Sequence, residues 1–122
     1  YYYDLQLMAH ISSLLHDSNE SDRYLALAGE VRAAFLKRFY DPATGVCSTG
    51  SQTAYAISLY TGLIPEHDRD RVFSNLVTSI IANNYSLTSG DVGYHFLVRV
   101  LSEYGRSDIL YKMNNRQDVP GY

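Results

Sequence analysis

The chain has 122 residues, a net charge of −3, twelve tyrosines and no tryptophan. That length suits one domain, and 46 % hydrophobic against 19 % charged residues excludes a disordered chain. The acidic balance excludes the basic face that a nucleic-acid surface needs, and no apolar run approaches the ~20 residues of a membrane-spanning helix.

Helical periodicity runs nearly throughout. Leu5, Met8, Ile11 and Leu15 recur at intervals of three and four, which predicts a first helix over Tyr3–Leu15 with that stripe as its core face. His16-Asp17-Ser18-Asn19 reads as a polar break. Glu20-Ser21-Asp22 opens a second helix, since acids in a first turn suit the helix dipole. Its stripe is Tyr24, Leu27, Ala28, Val31, Ala34, Phe35 and Phe39. Asp41-Pro42-Ala43-Thr44-Gly45 ends it, because proline cannot continue a helix and Asp and Gly favour turns.

Val46 to Ser51 reads as a short irregular or extended connection. A third helix follows over Gln52–Tyr60, with Ala54, Ile57 and Tyr60 or Thr61 on one side, and Gly62 stops it. Pro65 and Glu66 start a fourth, with Val72, Phe73, Leu76, Val77, Ile80 and Ile81 as its stripe, and Asn83-Asn84 closes it. Leu87-Thr88-Ser89-Gly90-Asp91-Val92-Gly93 leads into a fifth helix bearing Phe96, Leu97, Val100 and Leu101, with Gly105 just past its end. Ser107 is placed to cap a sixth, Asp108 to Asn114. Short loops between such helices imply antiparallel hairpins, so the fold class is all-α. No strand pattern of useful length and no fixed-period repeat appears.

Familiar chemistry is thin. His10 and His16 are six apart, on different faces of a helix, and no cysteine pair exists, so no metal site is expected. Asp68 and Asp70 lack the glycine and the distant glutamate of a calcium loop and read as a solvated first turn. Cys47 stands alone with no base near it in sequence, and reads as a buried or incidental thiol. Gly90-Asp91-Val92-Gly93 fits the G-x-x-G pattern that clamps a nucleic-acid backbone, but its acid and the lack of basic neighbours count against that use.

The start of the fifth helix is the remaining candidate. A helix N-terminus presents free N–H groups that bind oxygen ligands, and glycines let backbone approach a ligand closely. Tyr94 and His95 add a flat face and hydrogen-bonding tips, a combination that suits a sugar. The plainer reading is a tight loop in which Asp91 caps the helix and His95 packs internally.

Four stretches in order and spacing carry a resemblance: Tyr1-Tyr2-Tyr3-Asp4-Leu5-Gln6-Leu7-Met8-Ala9, Gly50-Ser51-Gln52-Thr53-Ala54-Tyr55-Ala56, Leu87 to Tyr111, and Met113 to Tyr122. Together they resemble the catalytic domain of bacterial α-L-rhamnosidases, over essentially the whole chain. The chain departs from many members in having Ser86-Leu87-Thr88-Ser89-Gly90 before the fifth helix, and Tyr94 after Gly93.

The resemblance implies antiparallel hairpins forming part of an (α/α)6 toroid with its active site at one mouth. It implies release of terminal α-L-rhamnose with inversion, a reaction run by two carboxyls ~6.5–9.5 Å apart. In this family the acid lies upstream and the base downstream of the matched stretches, so no catalytic residue is expected among residues 1–122. The chain then reads as a piece of a longer one that is inactive alone. What the resemblance carries over is a sugar-binding wall: Asp91, Tyr94 and His95, with Tyr2 and Tyr3 as aromatic contacts. The expected partner is a rhamnose-containing glycoside or polysaccharide, with no nucleic acid, membrane or cofactor, and self-association through exposed helix faces. The compartment is not set. Two alternatives remain: a free-standing helical interaction module, or a toroid hydrolase for another sugar.

Overall fold

The structure is a computed structural model that describes residues 1–118, and its backbone clusters into two units, residues 1–39 and residues 40 onward. The first unit is a helical hairpin of α1 (Tyr2–Leu14) and α2 (Ser18–Phe39). The break between them is shorter than the polar run implies. The Asp17 carboxylate accepts the N–H of Glu20 at 3.1 Å, so α2 opens at Ser18, ahead of the Glu20-Ser21-Asp22 start.

Within the hairpin α1 packs on α2, and the Ser21 hydroxyl donates to the carbonyl of Ala9 at 3.0 Å. The buried positions are Leu5, Ala9, Ser12 and Ala28. Of the stripe expected on α1, Leu5 alone is buried, while Met8, Ile11 and Leu15 are exposed. The reason is that α1 is apolar on more than one face, so a three-four repeat can be drawn along either. The small Ala9 and Ser12 mark the line of close helix approach. On α2 the expected stripe is buried only at Ala28; Tyr24, Leu27, Val31 and Phe35 are half-buried, and Ala34 and Phe39 are exposed.

The second unit begins with a feature the sequence does not announce: β1 (Tyr40–Asp41) pairs antiparallel with β2 (Val46–Cys47), Tyr40 opposite Cys47 and Asp41 opposite Val46. The turn between them is built by Asp41, whose carboxylate accepts from the N–H of Ala43 at 2.9 Å and the hydroxyl of Thr44 at 2.7 Å. Gly45 closes it at φ +73°, and a Cβ there would stand 3.1 Å from side-chain atoms of Arg71 and Asn75. Those side chains belong to α4 (Arg69–Ala82), which follows a 3-10 turn over Glu66–Asp68. Arg71 donates to the carbonyl of Pro42 at 2.7 Å and to the hydroxyl of Tyr40 at 3.3 Å, and pairs with Asp68; Asn75 donates to the carbonyl of Thr44 at 3.0 Å. Asp68 is therefore not a solvated acid. It is 8 % exposed, while Asp70 stays exposed.

α3 (Gln52–Tyr60) matches the expected span and contacts α4, β2 and α5 (Asp91–Glu103). All nine of its residues are buried or half-buried, with Gln52, Tyr55, Ala56, Ser58 and Leu59 the most enclosed. The single face of Ala54, Ile57 and Tyr60 is thus not the buried one: a helix packed on several sides has no single core stripe. On α4 the expected stripe is buried at Val72, Phe73, Leu76 and Ile80 but leaves Ile81 exposed. α5 buries Leu97, Val100 and Leu101, with Phe96 half-buried, and contacts α6 (Ser107–Asn114). Ser107 is the first residue of α6, not its cap. Arg106 takes the cap position with no side-chain cap bond, and its guanidinium pairs with Asp108 at 2.8 and 3.0 Å.

α1, α3, α4 and α5 end alike. One residue past the cap turns left-handed, and its N–H and the next pair back to the last-turn carbonyls, as in His16 N–H to Ser13 and Asp17 N–H to Ser12. The four left-handed residues are His16, Gly62, Asn84 and Gly105. Among the described residues no helix is long and apolar enough to cross a membrane.

Candidate functional site

The loop from Asn83 to Gly90 is fixed from several sides. Asn84 and Tyr85 both take positive φ, +50° and +57°. Gln52, on the first turn of α3 and 1 % exposed, donates from Nε2 to the carbonyl of Ser86 at 2.9 Å and accepts the N–H of Thr88 on Oε1 at 3.1 Å. Arg116, beyond α6, donates to the carbonyl of Asn84 and to the Ser86 hydroxyl, the latter at 2.8 Å, and pairs with Asp118. The ammonium of Lys112 lies 5.1 Å from the centroid of the Tyr85 ring. Buried polar backbone is expensive unless paired, so these side chains make an irregular loop tolerable and hold its shape.

The loop delivers the chain to α5 beside the start of α3. Gly93 is buried, and a Cβ on it would stand 2.3 Å from Thr53 Oγ1 and 2.9 Å from Ser89 Cβ. Glycine at 93 is thus demanded by helix-on-helix approach, not by the backbone approach to a ligand that the sequence pattern favours. A Cβ on Gly90 would meet nothing within 4 Å, so that side is open. Gly90 is the N-cap and supplies no side-chain cap. Two helix N-termini, α3 and α5, therefore lie side by side, and each carries positive partial charge.

Asp91, Tyr94 and His95 share one face of the first turns of α5, at positions i, i+3 and i+4. Asp91 and His95 are exposed and Tyr94 is half-buried. The internal placement of His95 does not hold: its ring stands edge-on to Phe96 at 5.4 Å and reaches solvent. Asp91 is the first helical residue and not the cap. The Tyr94 hydroxyl donates to Asn114 Oδ1 at 3.1 Å, which fixes the ring toward α6. In the first unit Tyr2 is half-buried, its hydroxyl accepting from Gln6 Nε2 at 2.9 Å, and Tyr3 is 37 % exposed. Pro120-Gly121-Tyr122, the end of the fourth matched stretch, lies outside the described residues.

Gln52 and Arg116 lie in the matched stretches and Ser86 in the segment that departs from many members, and the sequence assigns a role to none of the three. Their bonds span 30 to 36 residues, and no local pattern signals them. Cys47 is fully buried and its thiol is pushed up to about 11, chiefly by that burial, so it is not a nucleophile at neutral pH. His10 and His16 line different grooves of the first hairpin, of about 250 and 370 Å³. Among the described residues no group of three His, Cys, Asp or Glu side chains is placed to hold a metal ion.

Known proteins match this geometry along the chain. The model of the bacterial alpha-L-rhamnosidase 6 hairpin glycosidase domain matches residues 1–122. An alpha-L-rhamnosidase of Formosa agariphila is 27 % identical over 117 residues, 96 % of this chain and 13 % of the relative. One of Streptomyces avermitilis is 28 % identical over 99 residues, 81 % of this chain and 10 % of the relative. The crystal structure of the native enzyme from Aspergillus terreus superposes with a TM-score of 0.89 at 29 % identity, covering 98 % of this chain and 14 % of that one. The Streptomyces avermitilis enzyme complexed with L-rhamnose gives 0.89 at 25 % identity, covering 98 % and 11 %. The chain thus spans about one-eighth of the length of these relatives, and its hairpins are part of an (α/α)6 toroid. Residues 1–122 belong to the bacterial alpha-L-rhamnosidase six-hairpin glycosidase domain family.

Proposed function

We propose that the protein carrying this chain releases terminal α-L-rhamnose from glycosides, and that residues 1–122 supply binding surface and no catalytic carboxylate. The observation that carries the reading is the start of α5. A loop braced by Gln52 and Arg116 presents Asp91 and His95 to solvent beside two adjacent helix N-termini. A braced loop with exposed donors and acceptors suits recognition of sugar hydroxyls, because preorganised groups lose little entropy on binding. Asp91 and His95 make polar contacts with the sugar, and the Tyr94 ring packs beside it. Tyr2 and Tyr3 offer aromatic faces at the start of α1.

The experiment is a panel of 4-nitrophenyl glycosides given to the full-length gene product and, separately, to residues 1–122. The reading expects release from the α-L-rhamnoside by the full-length product and none by residues 1–122 alone. Preference for a fucoside, glucoside or uronide would move the activity to another sugar. Turnover by residues 1–122 would place catalytic carboxylates within them.

A further inference from the structure

The Tyr94 hydroxyl donates to Asn114 Oδ1 at 3.1 Å, and the residue that receives the bond fixes its direction. Asn114 is the last residue of α6, and its Nδ2 donates to the carbonyl of Leu110, one turn back, at 3.0 Å. An amide carries its donors on nitrogen and none on oxygen. Turned over, this one would set Oδ1 against the Leu110 carbonyl oxygen and lose that bond. The nitrogen therefore stays on Leu110 and the oxygen on Tyr94. A phenol has one proton, and here it is committed to Asn114. Toward any other partner the Tyr94 oxygen acts as an acceptor. Donating to Asn114 also polarises that oxygen and strengthens it as an acceptor, since bonds in a chain reinforce one another.

The bond lies at the surface, with Tyr94 half-buried and Asn114 exposed, so a solute reaches it without the fold opening. Asp91 is three residues earlier on the same face of α5 and is exposed. An ionised carboxylate accepts and does not donate. Two acceptors thus sit one turn apart. Such a pair reads donors, and the donors of a neutral sugar are its hydroxyl protons.

We propose that Asn114 sets the hydrogen-bond polarity of this face: it takes the Tyr94 proton, so that the Tyr94 oxygen accepts a bond from one hydroxyl of the bound sugar. Tyr94 touches the sugar, and Asn114 is a positioning residue that acts through it. This polarity rests on the reading of the α5 start as a sugar-binding wall, and deepens it by naming the sugar's hydroxyl protons as what is recognised.

The test is calorimetry on the full-length gene product with L-rhamnose and its single-fluorine analogues, each with one ring hydroxyl replaced. Fluorine is close to a hydroxyl in size but has no proton to donate. Tyr94→Phe is expected to bind L-rhamnose roughly fivefold to tenfold more weakly than wild type, the loss of one hydrogen bond. For one analogue the two proteins are expected to bind alike, because that bond is already gone. Asn114→Ala releases the Tyr94 proton from its bond and lets the hydroxyl donate to the fluorine. It is expected to lower the preference for L-rhamnose over that same analogue by roughly threefold. Asn114→Asp still accepts the Tyr94 proton and is expected to keep the preference, although it loses the bond to Leu110.

A residue that only braced α6 would lower the melting temperature in both N114A and N114D and leave the preference at its wild-type value in both. That pattern would overturn the role of Asn114. Loss of the preference in N114D as in N114A would overturn it too, because the amide would then act by shape and not by taking the proton. Weaker binding of every analogue by Y94F, in proportion to L-rhamnose, would remove Tyr94 as an acceptor and leave the wall reading standing. A wild-type protein that neither binds L-rhamnose nor cleaves 4-nitrophenyl α-L-rhamnoside would remove both.

Discussion

Gly93 and Thr53 touch at a distance that leaves no room for a side chain: a Cβ on Gly93 would lie 2.3 Å from the Thr53 hydroxyl oxygen. This contact sets how closely α3 and α5 start together, and so where Asp91 and His95 stand. Gly93→Ala is expected to destabilise the protein by about 1–3 kcal/mol through overpacking. Thr53→Ala in the same chain should recover part of that loss, so the two changes combine less than additively in a denaturant double-mutant cycle. Additive costs would mean that the helices can separate freely at this point.

Gln52 holds the loop before α5 by both ends of its amide. Gln52→Leu keeps the bulk but leaves the Ser86 carbonyl and the Thr88 N–H without that partner. The expected cost is about 2 kcal/mol, given ~1–3 kcal/mol for a buried group left unpaired. Thermal unfolding checks it. Amide exchange at Thr88 should also speed up, a local effect that a purely global loss of packing would not produce.

His16 occupies the left-handed position after α1, at φ +60°. A non-glycine residue pays about 1 kcal/mol or more there. His16→Gly is expected to raise stability by less than that penalty, because glycine also loses more entropy on folding. A lower unfolding midpoint for His16→Gly would show that the imidazole makes a contact worth more than the backbone strain.

The Asp41 carboxyl is held below its ordinary value of 3.8, first by the Thr44 hydroxyl and then by the Ala43 N–H. A depressed carboxyl stabilises the fold above its unfolded pKa, and the gain is lost as the pH falls through the folded value. The hairpin of β1 and β2 should therefore loosen only below about pH 4. Asp41→Asn should flatten that part of the stability-against-pH curve. An unchanged curve would mean that the turn does not depend on the charge.

Local chemistry made much of the helical frame legible. Gly62 stops α3 and Gly105 ends α5, at φ +76° and +68°. The face of α1 was not legible, because Leu5 and Ala9 on one side and Met8 and Ile11 on another are both apolar enough for a core. β1 and β2 escaped because two residues each show no alternation, and their pairing is fixed by Arg71 and Asn75 on a distant helix. At the candidate site, the shared face of Asp91, Tyr94 and His95 follows from helical spacing alone. The packing role of Gly93 and the clamp by Gln52 are tertiary facts, with no signal in the neighbouring residues.

In the proposed function the start of α5 holds the sugar and does not react with it. Asp91→Asn in the full-length gene product tests this most directly, with kcat and KM read separately on 4-nitrophenyl α-L-rhamnoside. The amide keeps the shape and hydrogen-bonding capacity but cannot serve as acid or base. The expected result is a KM raised by roughly an order of magnitude or less, with kcat within a few-fold of wild type. A kcat lowered by about 10² or more with KM unchanged, the scale of a lost general acid or base, would contradict it and make Asp91 a catalytic carboxylate.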